Sequence, residues 1–277
     1  MSIIQTVRDD IIEAIQNDQL TLPTLPEVAL KVRDVAEDEN AGIADLVKII
    51  STDASLTARI VRVTNSPLLR ARVEVKDLSM AVNRLGMNYT ANLAIGLAME
   101  QMFQATTDII DTRLRGIWEQ TSKIATISHV IAAKQKGMAL EEVTLAALVH
   151  QLGALPILTY AEENEDLISD GITLDQVISK LHGELGEVIL KKWDFPPELI
   201  KLPKGYQNLA DKHETADYSD IIKVASLLYF KDMEHPWAKV NWHEVPSFKL
   251  LNISDDRDDE SILNILEEAS NNSGVFH

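Results

Sequence analysis

Cysteine is absent from all 277 residues. That excludes a disulfide scaffold, a Cys-ligated zinc site, an iron–sulfur cluster and a thiol nucleophile. Aromatic residues are scarce, at 5%, so Leu, Ile, Val, Ala and Met must fill the core, which suits helix packing better than a β-sandwich. Basic charge is also short. Lys and Arg total 26 against 43 Asp and Glu, a formal net charge of −17, so the average surface repels nucleic acid and anionic membrane. No segment reaches the ~18 uninterrupted apolar residues of a membrane span. The most apolar stretch, residues 145–160, carries His150 and Gln151 in its middle. The opening residues have no basic flank leading into an apolar run, so no secretory leader is expected. A cytoplasmic protein that neither enters a membrane nor binds nucleic acid is the expectation. Strand-like alternation, a fixed-period repeat, a Gly-rich phosphate loop, G-x-S-x-G and H-E-x-x-H are all missing.

What is present is helical periodicity. Ile3, Ile4, Val7, Ile11, Ile12 and Ile15 recur at three- and four-residue steps, the spacing of one buried helical stripe. Pro23 and Pro26 interrupt the chain, and Pro26 suits the first turn of a new helix. Further helices are expected near 44–50, 52–64, 78–85, 88–103, 111–136, 141–151, 154–162, 174–192, 197–202 and 217–231. Residues 104–111 are polar and mark the best internal boundary. Beyond Asn252 come seven acids against the single base Arg257, with Ile262, Leu263, Ile265 and Leu266 forming a short apolar stripe. The fold class is therefore all-α. The segments expected are a helical bundle over 1–105, a second helical unit over 106–235 and an extension with an acidic tail over 236–277.

Charge changes sign locally between residues 59 and 84, where Arg59, Arg62, Arg70, Arg72, Lys76 and Arg84 outnumber Glu74 and Asp77. Arg62, Arg70 and Arg72 form the candidate docking surface for an acidic partner. Asn65 is expected to take left-handed geometry at a helix end. Asp53 is expected in a first helical turn, where an acid meets the favourable end of the helix dipole.

Several stretches carry a family resemblance. They are Leu22-Pro23-Thr24-Leu25-Pro26, Ile50 to Ile60 with Asp53, Val63-Thr64-Asn65-Ser66, and Leu78 to Gly86. Downstream lie Leu145 to Ala154, containing His150-Gln151, and Leu181 to Pro196, containing His182-x-x-x-Gly186 and Trp193-x-Phe195-Pro196. In this order they resemble the HDOD family, a regulatory branch of the HD and HD-GYP metal-dependent phosphohydrolases. Asp53, Asn65 and Ser66 are signature positions of that resemblance. The fold it implies is an N-terminal helical bundle packed on an HD-like helical domain.

The resemblance also implies where an HD metal centre would lie, and the residues there depart from the pattern. The upstream histidine position is Gln120, and the His-Asp doublet is His150-Gln151. Ala154 follows Gly153 where a lysine is expected, and the distant aspartate position is Ser226. Lys204-Gly205-Tyr206 stand near the place of the paired histidines of the HD-GYP branch. Only His150 and His182 remain. A hydrolytic metal needs about three protein ligands with an open position for water, and carboxylates to offset the ion's charge. The expected remnant is a relic pocket of Gln120, His150, Gln151, His182 and Ser226, with no metal, no cofactor and no catalytic residue. In the bland case each imidazole is a core group bonded to backbone or to Gln151.

These readings point to a non-catalytic signal-transduction module that acts through a protein partner, of unknown identity, or a small ligand. Two alternatives stay open. One is a divergent phosphohydrolase acting on a phosphomonoester or cyclic dinucleotide. The other is a nucleotide sensor using the relic cleft. HDOD proteins often carry a sensory domain, for which 277 residues leave no length, so input by partner or ligand is expected.

Overall fold

The computed structural model describes residues 3–17, 19–69, 73–272 and 274–276. Among these residues every regular element is helical. The N-terminal part holds α1 (Ile3–Gln16), α2 (Glu27–Glu37), α3 (Ile43–Ile50), α4 (Ala54–Thr64), α5 (Leu78–Leu85) and α6 (Met87–Ala98). Next come α7 (Asp108–Ala132), α8 (Leu140–Val149), α9 (Ala154–Glu162), α10 (Glu165–Ser169), α11 (Gly171–Lys192), α12 (Pro197–Gly205) and α13 (Tyr218–Phe230). The chain closes with α14 (Pro246–Leu250) and α15 (Glu260–Ser270).

Aspartate starts many of these helices. Asp53, Asp77, Asp170, Asp217 and Asp259 each place a carboxylate oxygen on a backbone N–H of the first turn. Each such cap stabilises its helix by about 1 kcal/mol. Part of the acid excess is therefore capping chemistry rather than bare surface. Asp53 is one of these caps, bonded by Leu56 N at 2.9 Å. It stands just before the helix, not inside its first turn as its sequence position suggested.

Asn65 also differs from expectation. It ends α4 at φ −85°, ordinary right-handed backbone, because its side chain has another task. The amide Nδ2 donates to Val61 O and to Val75 O, at 3.1 and 2.7 Å. Val75 N donates back to Oδ1 at 2.8 Å. The side chain thus staples residue 75 to the end of α4 and closes the intervening loop. Neighbouring Ser66 is buried, with Oγ bonded to Val63 O. Asn65→Ala breaks three hydrogen bonds at once and is expected to cost about 2 kcal/mol. A urea midpoint unchanged within error would show that the loop is held by something else.

The basic stretch is not one uniform surface. Arg59 turns inward, donating to Leu97 O and Phe276 O and pairing with Glu100. Arg84 donates to Leu69 O. Arg62 is exposed, whereas Arg70 and Arg72 lie outside the described residues.

Packing joins the halves. Helix α2 lies on α3 and α6, and α6 crosses onto α8. That crossing is tight, since a Cβ at Gly96 would lie 2.6 Å from Leu148 Cδ1. Helix α7 packs against α8, α13 and α15, and α11 against α9 and α12. Helix α1 docks on α9 and α11, with Arg8 paired to Glu184. One apolar cluster runs from Val7 to Phe276, with no break at the polar residues 104–111. Residues 140–162 are long and apolar enough to cross a membrane, yet most of that stretch is buried inside the fold. They are the central helices of the core.

Candidate functional site

His150 follows the last residue of α8, and His182 lies in the middle of α11. Glycine brings these segments together. A Cβ at Gly153 would sit 1.8 Å from the His182 carbonyl oxygen, and one at Gly186 would sit 2.9 Å from Pro203 Cβ. Any side chain at Gly153 would therefore drive the start of α9 off α11. The glycines that follow each histidine in the sequence exist for close helix approach, whatever chemistry the histidines perform.

Both imidazoles are buried, and backbone bonds set their tautomers. His150 Nδ1 lies 2.6 Å from Ala147 O, and His182 Nδ1 lies 2.7 Å from Ile178 O. A carbonyl oxygen can only accept, so each Nδ1 carries the proton and each Nε2 presents a lone pair. At His182 that lone pair receives the Tyr206 hydroxyl at 2.5 Å. At His150 it has no hydrogen-bond partner among the described residues. The Tyr206 ring centroid is 5.0 Å from His150, nearly perpendicular to it, and 5.8 Å from His182. Burial pushes His150 down to about 3 and His182 down to about 4, and it pushes the Tyr206 phenol up. All three groups are neutral at pH 7.

The other positions of the expected pocket contribute little. Gln151 is 7% exposed. It makes no side-chain hydrogen bond among the described residues; Gln207, not Gln151, lies beside His182, its Nε2 donating to Ser179 O at 2.8 Å and standing 3.3 Å from the protonated Nδ1, a contact of two N–H groups rather than a hydrogen bond. Ser226 is buried, with Oγ bonded to its own helix at Ile222 O. Gln120 is half-buried on α7 and forms no hydrogen bond to either histidine. None of Gln120, Gln151 and Ser226 offers an anionic oxygen, and one of the two available imidazole lone pairs is taken by Tyr206. A hydrolytic dication does not fit this donor set.

A second polar cluster escaped sequence reading. Asp220 and Lys223 on α13 are both 0% exposed, with Nζ 3.7 Å from Oδ1. Asp220 Oδ1 also accepts from Ser247 Oγ at 2.6 Å, and Oδ2 accepts from His213 Nε2 and Asp217 N at 2.7 and 2.9 Å. Burial alone would raise this carboxyl. The Ser247, Asp217 and His213 bonds and the Lys223 charge outweigh that, and its pKa is lowered. His213, Asp217 and Asp220 could together face a cation, but Lys223 already supplies the charge that balances Asp220. The Asp-x-x-Asp capping box was the available sequence signal for this cluster, but it reads as an ordinary helix start.

An all-α fold with a histidine ending one core helix and a second histidine facing it across a glycine-tight contact defines an HD-like helical protein. Residues 22–208 match the HDOD domain, and the chain belongs to that family. An uncharacterized protein of Treponema pallidum (strain Nichols) is 23% identical over 251 residues, 86% of this chain. The chain spans about half the length of that relative, at 48%. A crystal structure from Shewanella amazonensis SB2B, of a candidate metal-dependent phosphohydrolase, superposes with a TM-score of 0.81 at 25% identity, covering 100% of both chains. A candidate signal transduction protein from Marinobacter aquaeolei VT8 gives a TM-score of 0.62 at 19% identity, over 99% of this chain and 66% of that one.

Proposed function

We propose that this HDOD protein is a non-catalytic regulatory module that works in the cytoplasm by binding a protein partner of a signalling pathway. The observation that carries the reading is the His150–Tyr206–His182 arrangement. Where an HD centre gathers carboxylates and imidazoles around metal, this chain has two neutral imidazoles, a phenol between them, and amide or hydroxyl side chains at the remaining positions. The same filled cleft weighs against a divergent phosphohydrolase and against a nucleotide sensor, because neither a metal nor a phosphate finds compensating charge there. The description of the Marinobacter relative as a signal transduction protein agrees with the regulatory reading.

The test is hydrolysis of a phosphomonoester and of a cyclic dinucleotide with and without Mn²⁺. No metal-dependent turnover is expected. Turnover that disappears in His150→Ala would overturn the proposal.

Arg62, Arg70 and Arg72 are the proposed contact for an acidic partner, since a net charge of −17 makes the average surface repel one. Arg70→Glu with Arg72→Glu is expected to weaken association, and salt is expected to weaken the wild type through ~10 Å screening at 0.1 M. Unchanged binding by the double variant at low salt would move attention to the acidic tail.

A further inference from the structure

We infer that the space between His150 and His182 is a receptor for a neutral phenol, and that Tyr206 fills it from within the chain. The inference rests on the non-catalytic reading of the cleft and adds the chemical class the cleft accepts.

The recognition is specific in its parts. The Ile178 carbonyl obliges His182 to present a lone pair, so the group bound to Nε2 must be a hydrogen-bond donor; Tyr206 supplies it at 2.5 Å. His150 meets the ring at 5.0 Å with an interplanar angle of 87°, an edge contact that suits an aromatic ring and not a hydrated ion. On another side Trp237, from the short 236–239 turn, stands 5.8 Å from the same ring. Gln207 supports the His182 side. It donates to Ser179 O at 2.8 Å, and it occupies space that only a glycine at 183 leaves open, since a Cβ there would lie 2.2 Å from Gln207 Oε1. Tyr206 itself is 3% exposed. Two uncharged imidazoles neither neutralise a phosphate nor balance a dication, which leaves a neutral aromatic hydroxyl as the matching class. Because Trp237 packs on the ring, filling or emptying the cleft also reaches the 236–239 turn.

Cavity complementation tests this. Tyr206→Ala removes the ring and leaves its receptor. The purified full chain would be melted with phenol, benzene or Mn²⁺ as probes, beside the wild type. Phenol at about ten times its dissociation constant is expected to raise the Tm of Tyr206→Ala by about 3 °C, benzene by clearly less, and Mn²⁺ not at all. Wild type, already filled, is expected to respond to none of the three. Should Tyr206→Ala fail to fold, Tyr206→Phe keeps the ring and removes only the donor. The ¹⁵N resonance of His182 Nε2 should then move to that of an unbonded lone pair, while His150 Nε2 stays put. Equal stabilisation by phenol and benzene, no stabilisation by phenol, or an unmoved His182 resonance in Tyr206→Phe would overturn the receptor inference and leave the regulatory reading standing. Stoichiometric Mn²⁺ bound by wild type through His150 would overturn both.

Discussion

The protein is expected to lose stability steadily as pH falls from about 6.5 toward 4. Three histidines carry this expectation. Burial holds His129 and His182 down to about 4 and His150 down to about 3. Glu268 pulls His129 slightly the other way, and the neighbouring His182 pushes His150 further down. In the unfolded chain each imidazole titrates near 6.5. Between pH 6.5 and 4 the unfolded state therefore binds more protons than the native state, and stability falls as pH falls. This is the opposite of a histidine with a raised pKa, such as His213 beside Asp220, whose contribution is present at low pH and fades as pH rises through that raised value. At pH 5 each of the three buried histidines costs about 2 kcal/mol, and together about 6 kcal/mol, comparable with the whole stability of a typical domain. Calorimetric unfolding at pH 5.5 in buffers of different ionisation enthalpy should show uptake of about three protons. No uptake would show that these imidazoles are charged or hydrated in the folded protein.

Those histidines also show where sequence reading stops. Helices were legible because Ile3, Val7, Ile11 and their equivalents repeat at helical spacing, and because prolines interrupt the chain between them; the aspartate caps at Asp53, Asp77, Asp170, Asp217 and Asp259 show only in the structure. Helices α10 and α14 were not foreseen, being five residues each, too short to show a period. The HDOD resemblance rested on local motifs and survived intact. The relation between Tyr206 and the histidines did not show, because it joins the ends of α8 and α12 to the middle of α11. Sequence spacing does not encode which ring enters the gap. Asn65 departs from its sequence expectation for a similar reason. Its type suits a left-handed helix end, but its partner is Val75, ten residues away, and three hydrogen bonds outweigh a local backbone preference. Arg59 looked like part of a basic surface because charge patterning ignores direction, and the buried carbonyls of Leu97 and Phe276 draw it inward.

Replacing Asp220 by alanine is expected to cost about 3–5 kcal/mol, the range found when one member of a buried ion pair is removed. The reason lies with what stays behind. Lys223 is 0% exposed, and Nζ has no hydrogen-bond partner among the described residues; its compensation is the carboxylate 3.7 Å away. Without Asp220 the ammonium keeps its desolvation cost and loses that attraction. Ser247 and the Asp217 amide also lose an acceptor, which loosens the contact between α13 and α14. If the burden is the stranded charge, then Asp220→Ala combined with Lys223→Met should recover most of the loss, since an apolar side chain of similar length has no charge to desolvate. Urea unfolding of the two single variants and the double variant at pH 7 gives the coupling energy directly. A double variant no more stable than Asp220→Ala would mean that the Ser247, His213 and Asp217 hydrogen bonds, rather than the ion pair, hold this end of the molecule together.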